Sequence, residues 1–369
     1  VRRIWAQAAK EWAGFRRDRL SLSLAFLLPL ATLLLFGYGV RLSPKNIPVV
    51  VQDLDNSPLS RALVERLLNA NVFAPGARDG RTDPIDAIES GGARAAVLIP
   101  PAFGREIEMG RQAEFQSLID GSDINSAEVV RAVVRGATAS FLSSADNAEP
   151  AGSRVHPLVS IWFNPGGKES LFIVPGVFGI ILWMYPALLA AVAVAREVEQ
   201  GTDVQIYASG LSAVEVLLGK GLVYFAVGIA EALVVMAASC CLFGLTVAGD
   251  PAPLAVSTLI YVAGAVAFGL LAGVLSRAET IAVQATASGG FFPALLLSGF
   301  VYPIDNIPFP LSLACLAVPA RYYIQVCRDT LLRGAGWREL WYEPVVLALF
   351  SAALFTGAWC GMRRMQVRS

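Results

Sequence analysis

The side chains that could do chemistry in this sequence fall in patterns that fit no catalytic centre. His156 is the only histidine and stands beside Pro157 in a loop-like stretch, which reads as a surface residue rather than a ligand. Asp53, Asp55, Asp120 and Asp123 have calcium-binding chemistry, but their spacing fits no EF-hand loop and turn capping accounts for them better. Gly166-Gly167-Lys168-Glu169 has the wrong spacing for a phosphate loop and no hydroxyl residue after the lysine. The pattern G-x-x-x-x-G-K followed by Ser or Thr occurs nowhere, so the chain supplies no Walker nucleotide site. No metal-ligand cluster or nucleophile triad is visible, and neither a catalytic nor a metal-binding residue is assigned.

Two features remain. Arg196 to Lys220 (REVEQGTDVQIYASGLSAVEVLLGK) is the only long polar interruption between two of the most apolar segments. Glu231 stands inside an apolar run, where a carboxylate costs about 2.5–3.5 kcal/mol by insertion scales and needs a partner or water. It reads either as a substrate or proton contact, or as a carboxyl hydrogen-bonded across helices.

The elements around these residues follow from composition. The 369 residues are 55% hydrophobic with a mean hydropathy of +0.58, too apolar for a soluble domain. The apolar residues are gathered into six runs near the ~20 residues a membrane span needs. These are Leu20–Val40, Leu171–Ala195, Leu222–Leu245, Leu254–Leu275, Ile281–Val301 and Val345–Met362. The run from Leu20 is too long for a signal-peptide core and is expected to stay as an anchor. Formal net charge is zero, which gives no field for nucleic acid. None of the five cysteines lies in the large polar segment, so that segment has no disulfide framework. The expected fold is an α-helical polytopic membrane protein with six transmembrane helices and an α/β extracytoplasmic domain between the first and second spans.

In chain order, residues 1–40 form an interfacial helix and the first span. Ile4, Trp5, Ala8, Trp12 and Phe15 share a helical face, and the surrounding arginines place this end in the cytoplasm, beside lipid headgroups. Residues 41–169 read as the extracytoplasmic domain. Strands are expected at Ile47–Gln52, Ala95–Ile99 and near Glu114–Ile119, with helices after Asn56-Ser57-Pro58, over Pro84–Ser90 and Pro101–Gly110, and from Asp123 to about Ser144. Residues 170–369 carry the second to sixth spans. Pro175 and Pro186 kink the second. Thr202–Gln205, Ser212–Glu215 and Ser276–Glu279 each fit a capping box, with Ser209-Gly210 as a break between the first two. The stretch 196–220 therefore reads as a helix leaving the membrane, a short surface helix and a helix returning. Residues 304–340, broken by Pro308, Pro310 and Pro319, suggest a re-entrant outer hairpin. Its Arg321, Arg328, Arg333 and Arg338 strain the positive-inside rule, so a full crossing there is the alternative topology.

Several motifs then line up in order: Lys10-Glu11 and Arg17-Asp18; Phe36-Gly37-Tyr38-Gly39; Asp120-Gly121-Ser122-Asp123 with Asn125; and Trp162-Phe163-Asn164-Pro165. Further along come Arg196-Glu197 with Glu199 and Gly201-Thr202, then Leu297-Ser298-Gly299-Phe300, Pro303-Ile304-Asp305 and Pro319-Ala320-Arg321-Tyr322. In this order the chain resembles permease subunits of ABC exporters of the ABC type 2 transporter family, in the bacterial efflux branch with a large extracytoplasmic insertion. It departs from the family pattern at Asp203, Gln205 and Ile206-Tyr207.

The resemblance implies two permease copies, or two related permeases, each docked on a separate nucleotide-binding ATPase that holds ATP and Mg. This chain would bind no cofactor and catalyse no reaction. Arg196, Glu197, Glu199, Gly201, Thr202, Gln205, Ser212 and Glu215 would form the coupling region seated on that ATPase. Ser298, Gly299, Pro303, Pro319, Arg321 and Tyr322 would belong to the outer hairpin; Glu231 matches no motif of the family, and its place on a substrate path is an expectation from burial cost alone. The implied place is a bacterial inner membrane, with both termini cytoplasmic, moving amphipathic, drug-like or lipid-linked molecules outward. A periplasmic adaptor and an outer-membrane channel are further partners by analogy. The competing readings are a non-transporting signal or force transmitter acting through the extracytoplasmic domain, and an ion-coupled carrier using Glu231.

Overall fold

The computed structural model describes residues 1–39, 46–70, 72–74, 83–89, 92–120, 124–145, 169–202, 210–276, 278–301, 304 and 307–368. The chain divides into two units, one made of Val1–Val40 with Ser160–Ser369, the other of Arg41–Val159.

In the smaller unit, β-branched runs form strands and capped apolar-faced segments form helices. Its elements are β1 (Ile47–Asp53), α3 (Pro58–Leu68), β2 (Phe73–Ala74), α4 (Pro84–Glu89), β3 (Ala95–Ile99), α5 (Phe103–Glu108), β4 (Gln116–Ile119) and α6 (Ile124–Ala145). The sheet order is β2-β1-β3-β4, with β4 antiparallel to β3 and the other pairs parallel. Val49 lies opposite Ala95 and Asp53 opposite Ile99. Alternate side chains point to opposite faces of a strand. Val49, Val97 and Ile99 accordingly join Leu63, Leu67, Val130 and Phe141 in one core, while Val50 packs with Ala87 and Ala93 in another. Ser57 accepts from Ser60 N at 3.1 Å, so α3 begins with Pro58 in its first turn as its sequence indicates. The short β2 carries too few residues to show as a strand in the sequence.

The larger unit is helical. Its long helices are α1 (Arg2–Arg17), α2 (Arg19–Gly39), α7 (Glu169–Glu199), α8 (Ala213–Phe243), α9 (Pro251–Leu275) and α13 (Tyr342–Arg368). Among the described residues, five helices are long and apolar enough to cross a membrane: α2, α7, α8, α9 and α13. The expected fifth span, Ile281–Val301, differs. Its α10 is helical only from 279 to 296, through Glu279–Thr286, a π-turn at Ala287–Phe291 like that at Ser23–Leu27 of α2, and Phe292–Leu296, and it stops before the apolar run ends. Gly289-Gly290 loosens the helix, Pro293 starts a new turn, and Gly299 takes a φ of +80° in the bends that follow. Among the described residues the hairpin segment contains short pieces: α11 (Leu311–Ala314), a 3-10 turn at Cys315–Ala317, and α12 (Pro319–Arg328) with a π-turn after it.

At the centre of this unit is α7. In its most apolar window 83% of residues are buried, against 17% in α2 and in α13. It packs against α8, α9, α10, α12 and α2. The closest approach uses small residues, as membrane helices do in the absence of a strong hydrophobic drive between them. A Cβ added at Gly273 of α9 would stand 2.6 Å from the Ala191 carbonyl oxygen of α7. Gly273→Val is therefore expected to lower stability by about 1–3 kcal/mol through overpacking, read as a lower thermal midpoint in detergent. Gly14→Ala in α1, where nothing lies within 4 Å, should stay within about 1 kcal/mol of the parent. Equal midpoints for the two variants would refute this packing.

Candidate functional site

The end of α7 places two adjacent charges about 100° apart on a helix, so Arg196 and Glu197 address different neighbours. Glu197 faces α8 and α1. Lys220 of α8 is 1% exposed, and its Nζ lies 2.7 Å from Glu11 Oε2, 2.9 Å from Glu197 Oε2 and 3.3 Å from the Ala193 carbonyl oxygen. An ammonium has three N–H groups to place, and three oxygens surround this one. Tyr224 donates its hydroxyl to Glu11 Oε1 at 2.7 Å, and Phe15 meets the Tyr224 ring edge-on. Lys10 reaches Glu197 Oε1 at 3.3 Å, but its exposed side chain adds little. A Cβ at Gly219 would lie 2.6 Å from Gln7 Cγ, so α1 lies close against α8 where the charge is buried.

Arg196 faces α2 and α10. It donates to both oxygens of Glu279, at 3.2 and 3.1 Å, and to Asp18 Oδ2 at 3.0 Å. Fork-on-carboxylate geometry of this kind fixes orientation as well as charge. Asp18 also accepts from the Leu20 backbone at 3.0 Å and the Ser21 hydroxyl at 2.8 Å, which caps the start of α2. Partial burial works against its charge, yet the Arg196 guanidinium, the Ser21 hydroxyl and the Leu20 and Ser21 backbone hold this carboxyl below the usual range. That tie is at full strength above the ordinary carboxylate range and weakens as pH falls through the lowered value. Glu199 accepts from Glu279 N at 2.8 Å and so caps α10 from another helix. A cleft of about 490 Å³ beside these groups is lined by Arg196, Glu199, Gln200, Glu279, Thr280 and Val283.

Arg196, Glu197 and Glu199, expected as coupling residues, are thus engaged with partners inside the chain. Gly201 has a φ of +67° and Thr202 donates its hydroxyl back to the Glu197 carbonyl at 3.2 Å, closing α7. Its expected capping partner Gln205, with Asp203, Ile206, Tyr207 and Ser209, lies outside the described residues, as do Gly121–Asp123, Trp162–Pro165, His156 and Pro303. The Ser212–Glu215 box is formed: Glu215 N donates to Ser212 Oγ at 3.3 Å and Ser212 N to Glu215 Oε2 at 2.9 Å. The box expected at Ser276–Glu279 is not. Ser276 donates to the Ala272 carbonyl at 2.7 Å, and Ala278 has no capping side chain. Glu199, on the neighbouring helix, supplies the missing acceptor. Sequence reasoning missed Lys220, Tyr224 and Glu279 as members of this site, although Lys220 was visible as the last charge before an uncharged run reaching Glu231.

In the hairpin, Gly299 accepts from Arg328 Nη1 at 3.0 Å, and the Arg328 guanidinium lies 3.8 Å over the Phe172 ring. Tyr322 donates to the Leu316 carbonyl at 3.0 Å, Arg321 lies over the Tyr322 ring, Pro319 starts α12 and Ser298 is buried. Glu231 stands apart from both groups, fully buried in α8. Among the described residues no group of three or more His, Cys, Asp or Glu side chains could hold a metal.

The family model described as ABC-2 family transporter protein matches residues 19–360. The chain is 28% identical to the Escherichia coli K12 protein named probable multidrug ABC transporter permease YbhS, over 98% of this chain and 97% of that one. It is 26% identical to probable multidrug ABC transporter permease YbhR of the same organism, over 96% and 97%. ABC transporter G family member 20 of Dictyostelium discoideum is 24% identical over 90% of this chain and 46% of its own length.

Removing one partner of a buried ion pair leaves an uncompensated charge. Lys220→Met is expected to cost about 3–5 kcal/mol in thermal or denaturant unfolding, with α1 becoming sensitive to trypsin. Adding Glu11→Gln to Lys220→Met should recover part of that loss. Strictly additive losses would show that the two side chains do not interact.

Proposed function

Because this chain belongs to the ABC-2 family of transporter proteins, we propose that it is the membrane-spanning permease of an ATP-driven exporter for amphipathic, drug-like or lipid-linked molecules. ATP and Mg reside on a separate nucleotide-binding subunit. Two permeases, identical or related, assemble with two such ATPases in a bacterial inner membrane, with both termini cytoplasmic and residues 41–169 outside. A periplasmic adaptor reaching an outer-membrane channel would dock on that extracytoplasmic domain.

The observation that carries this reading is the tying together of α1, α2, α8 and α10 at the end of α7. Six charged side chains engage one another there: Glu11, Asp18, Arg196, Glu197, Lys220 and Glu279. The cations of α1 and α2 next to this end support a cytoplasmic side for it. ATP chemistry on another protein can move a membrane bundle only through a stiff contact, and a cluster of engaged charges gives stiffness that a solvated loop does not. Arg196, Glu197 and Glu199 are already engaged with partners inside the chain, so the ATPase meets the rim of the cleft at Gln200 and Thr280, both exposed, and the cations of α1. The three charged residues act as the joint behind that surface.

Inverted vesicles holding the chain and its ATPase should accumulate an amphipathic dye when given ATP, and not when given a non-hydrolysable analogue. Arg196→Gln should leave ATPase co-purification intact while lowering accumulation about tenfold, the scale of a lost coupling free energy of about 1–3 kcal/mol. A complex that hydrolyses ATP, moves no amphipath and changes the protease pattern of residues 41–169 would replace export by force transmission.

A further inference from the structure

Glu231 is fully buried, and neither of its carboxylate oxygens has a hydrogen-bond partner among the described residues. Structural carboxyls inside a bundle satisfy themselves across helices, and this one does not. Its position on α8 is not arbitrary. Lys220, Tyr224 and Glu231 follow at spacings of four and seven residues, one helical face, so Glu231 lies about 16 Å beyond Lys220 along the axis. A Cβ at Gly228, one turn earlier, would stand 2.6 Å from Val262 Cγ1 and 3.1 Å from Pro186 Cγ, so α8 is pressed there against α9 and α7. On α7, Tyr185 precedes that Pro186, and its hydroxyl shares a 2.6 Å hydrogen bond with Thr32 of α2. The carboxyl therefore stands one turn beyond the point where α8 is pressed against α7 and α9, and the Tyr185–Thr32 pair ties α7 to α2 at the residue next to that contact.

We propose that Glu231, with Tyr185 and Thr32 on the adjoining helices, recognises the cationic group of an amphipathic substrate inside the bundle, reached when α7 and α8 part. This rests on the exporter reading and names its substrate class. The chemistry is that of a lone acidic group between apolar walls. A carboxylate in hydrocarbon is costly, and the ligand that relieves that cost most is one bringing a positive charge. Tyr185 offers a π face to the same charge, and the walls take the apolar body. A neutral amphipath would leave Glu231 as unpartnered as it is in the closed packing. In that closed packing the Gly228 contact seals the site, which keeps an unfilled acidic group out of contact with water and ions.

The test is equilibrium binding of tetraphenylphosphonium and of uncharged triphenylphosphine oxide to the full chain in zwitterionic nanodiscs. Glu231→Gln, nearly isosteric, should weaken tetraphenylphosphonium binding about tenfold or more and change triphenylphosphine oxide binding by less than about twofold. On the wild-type chain, tetraphenylphosphonium should protect Glu231 from a membrane-soluble carbodiimide, mapped by peptide mass spectrometry, so the answer survives a variant that fails to fold. Equal tetraphenylphosphonium affinity in both chains, no saturable binding to the wild type, or labelling unchanged by the cation would each overturn the proposal. Binding needs no ATPase. Failure here leaves ATP-driven export standing, and absence of ATP-driven dye movement leaves this binding result readable.

Discussion

One buried ammonium group decides how an entire end of this molecule is built. Lys220 has almost no contact with solvent, and a charge so placed is tolerable only with opposite charge and acceptors around it. Glu11 comes from α1 and Glu197 from α7, so satisfying one lysine fixes three helices at once. Tyr224 engages the second oxygen of Glu11, which leaves that carboxylate little freedom to choose another partner. Such a pair contributes little net stability compared with apolar residues of similar volume, because desolvation opposes the attraction. What it contributes is a unique arrangement. Alternatives that slide α1 along α8 would strand a charge.

The neighbouring residue extends the same logic. Arg196 binds Asp18 and Glu279, and Glu199 caps the helix that begins at Glu279. Through these contacts α7 controls the starts of α2 and α10 as well. Its own position is set by different physics: close backbone approach at glycines such as Gly273, where shape rather than charge decides. Apolar packing therefore holds the body of the bundle, while paired charges hold the end where apolar residues would face water. This division suits the role proposed for α7, in which it carries displacement from a charged surface into a membrane.

Much of this fold is legible in the sequence because its signals are local. Ala95–Ile99 is a β-branched and apolar run and is a strand, and Ser212 with Glu215 forms the box its spacing announces. Apolar runs of membrane length become α2, α7, α8, α9 and α13. The failures are long-range. Ser276 has the spacing of a cap, yet its hydroxyl returns to Ala272 because Glu199 occupies the role from another helix. The apolar run 281–301 has the length of a span, but its helix, loosened at Gly289-Gly290 and restarted at Pro293, ends at Leu296 with bends after it. The charges at 196–199 were visible as an island. Their partners, up to 187 residues away, were not, because sequence separation carries no record of which charges meet.

The central claim is that α1 and the start of α10 are held as one body by the charges at the end of α7. Distances between spin labels at Trp12→Cys and Thr280→Cys, both exposed sites, test this directly. The measurement uses a chain whose native cysteines are replaced by serine, assembled with its ATPase and diluted with unlabelled protein. The account predicts one narrow distance distribution, unchanged between nucleotide-free and ATP-bound complexes, that broadens when Lys220 is replaced by Met. A distance that shifts by several ångströms on ATP binding in the parent chain would contradict it.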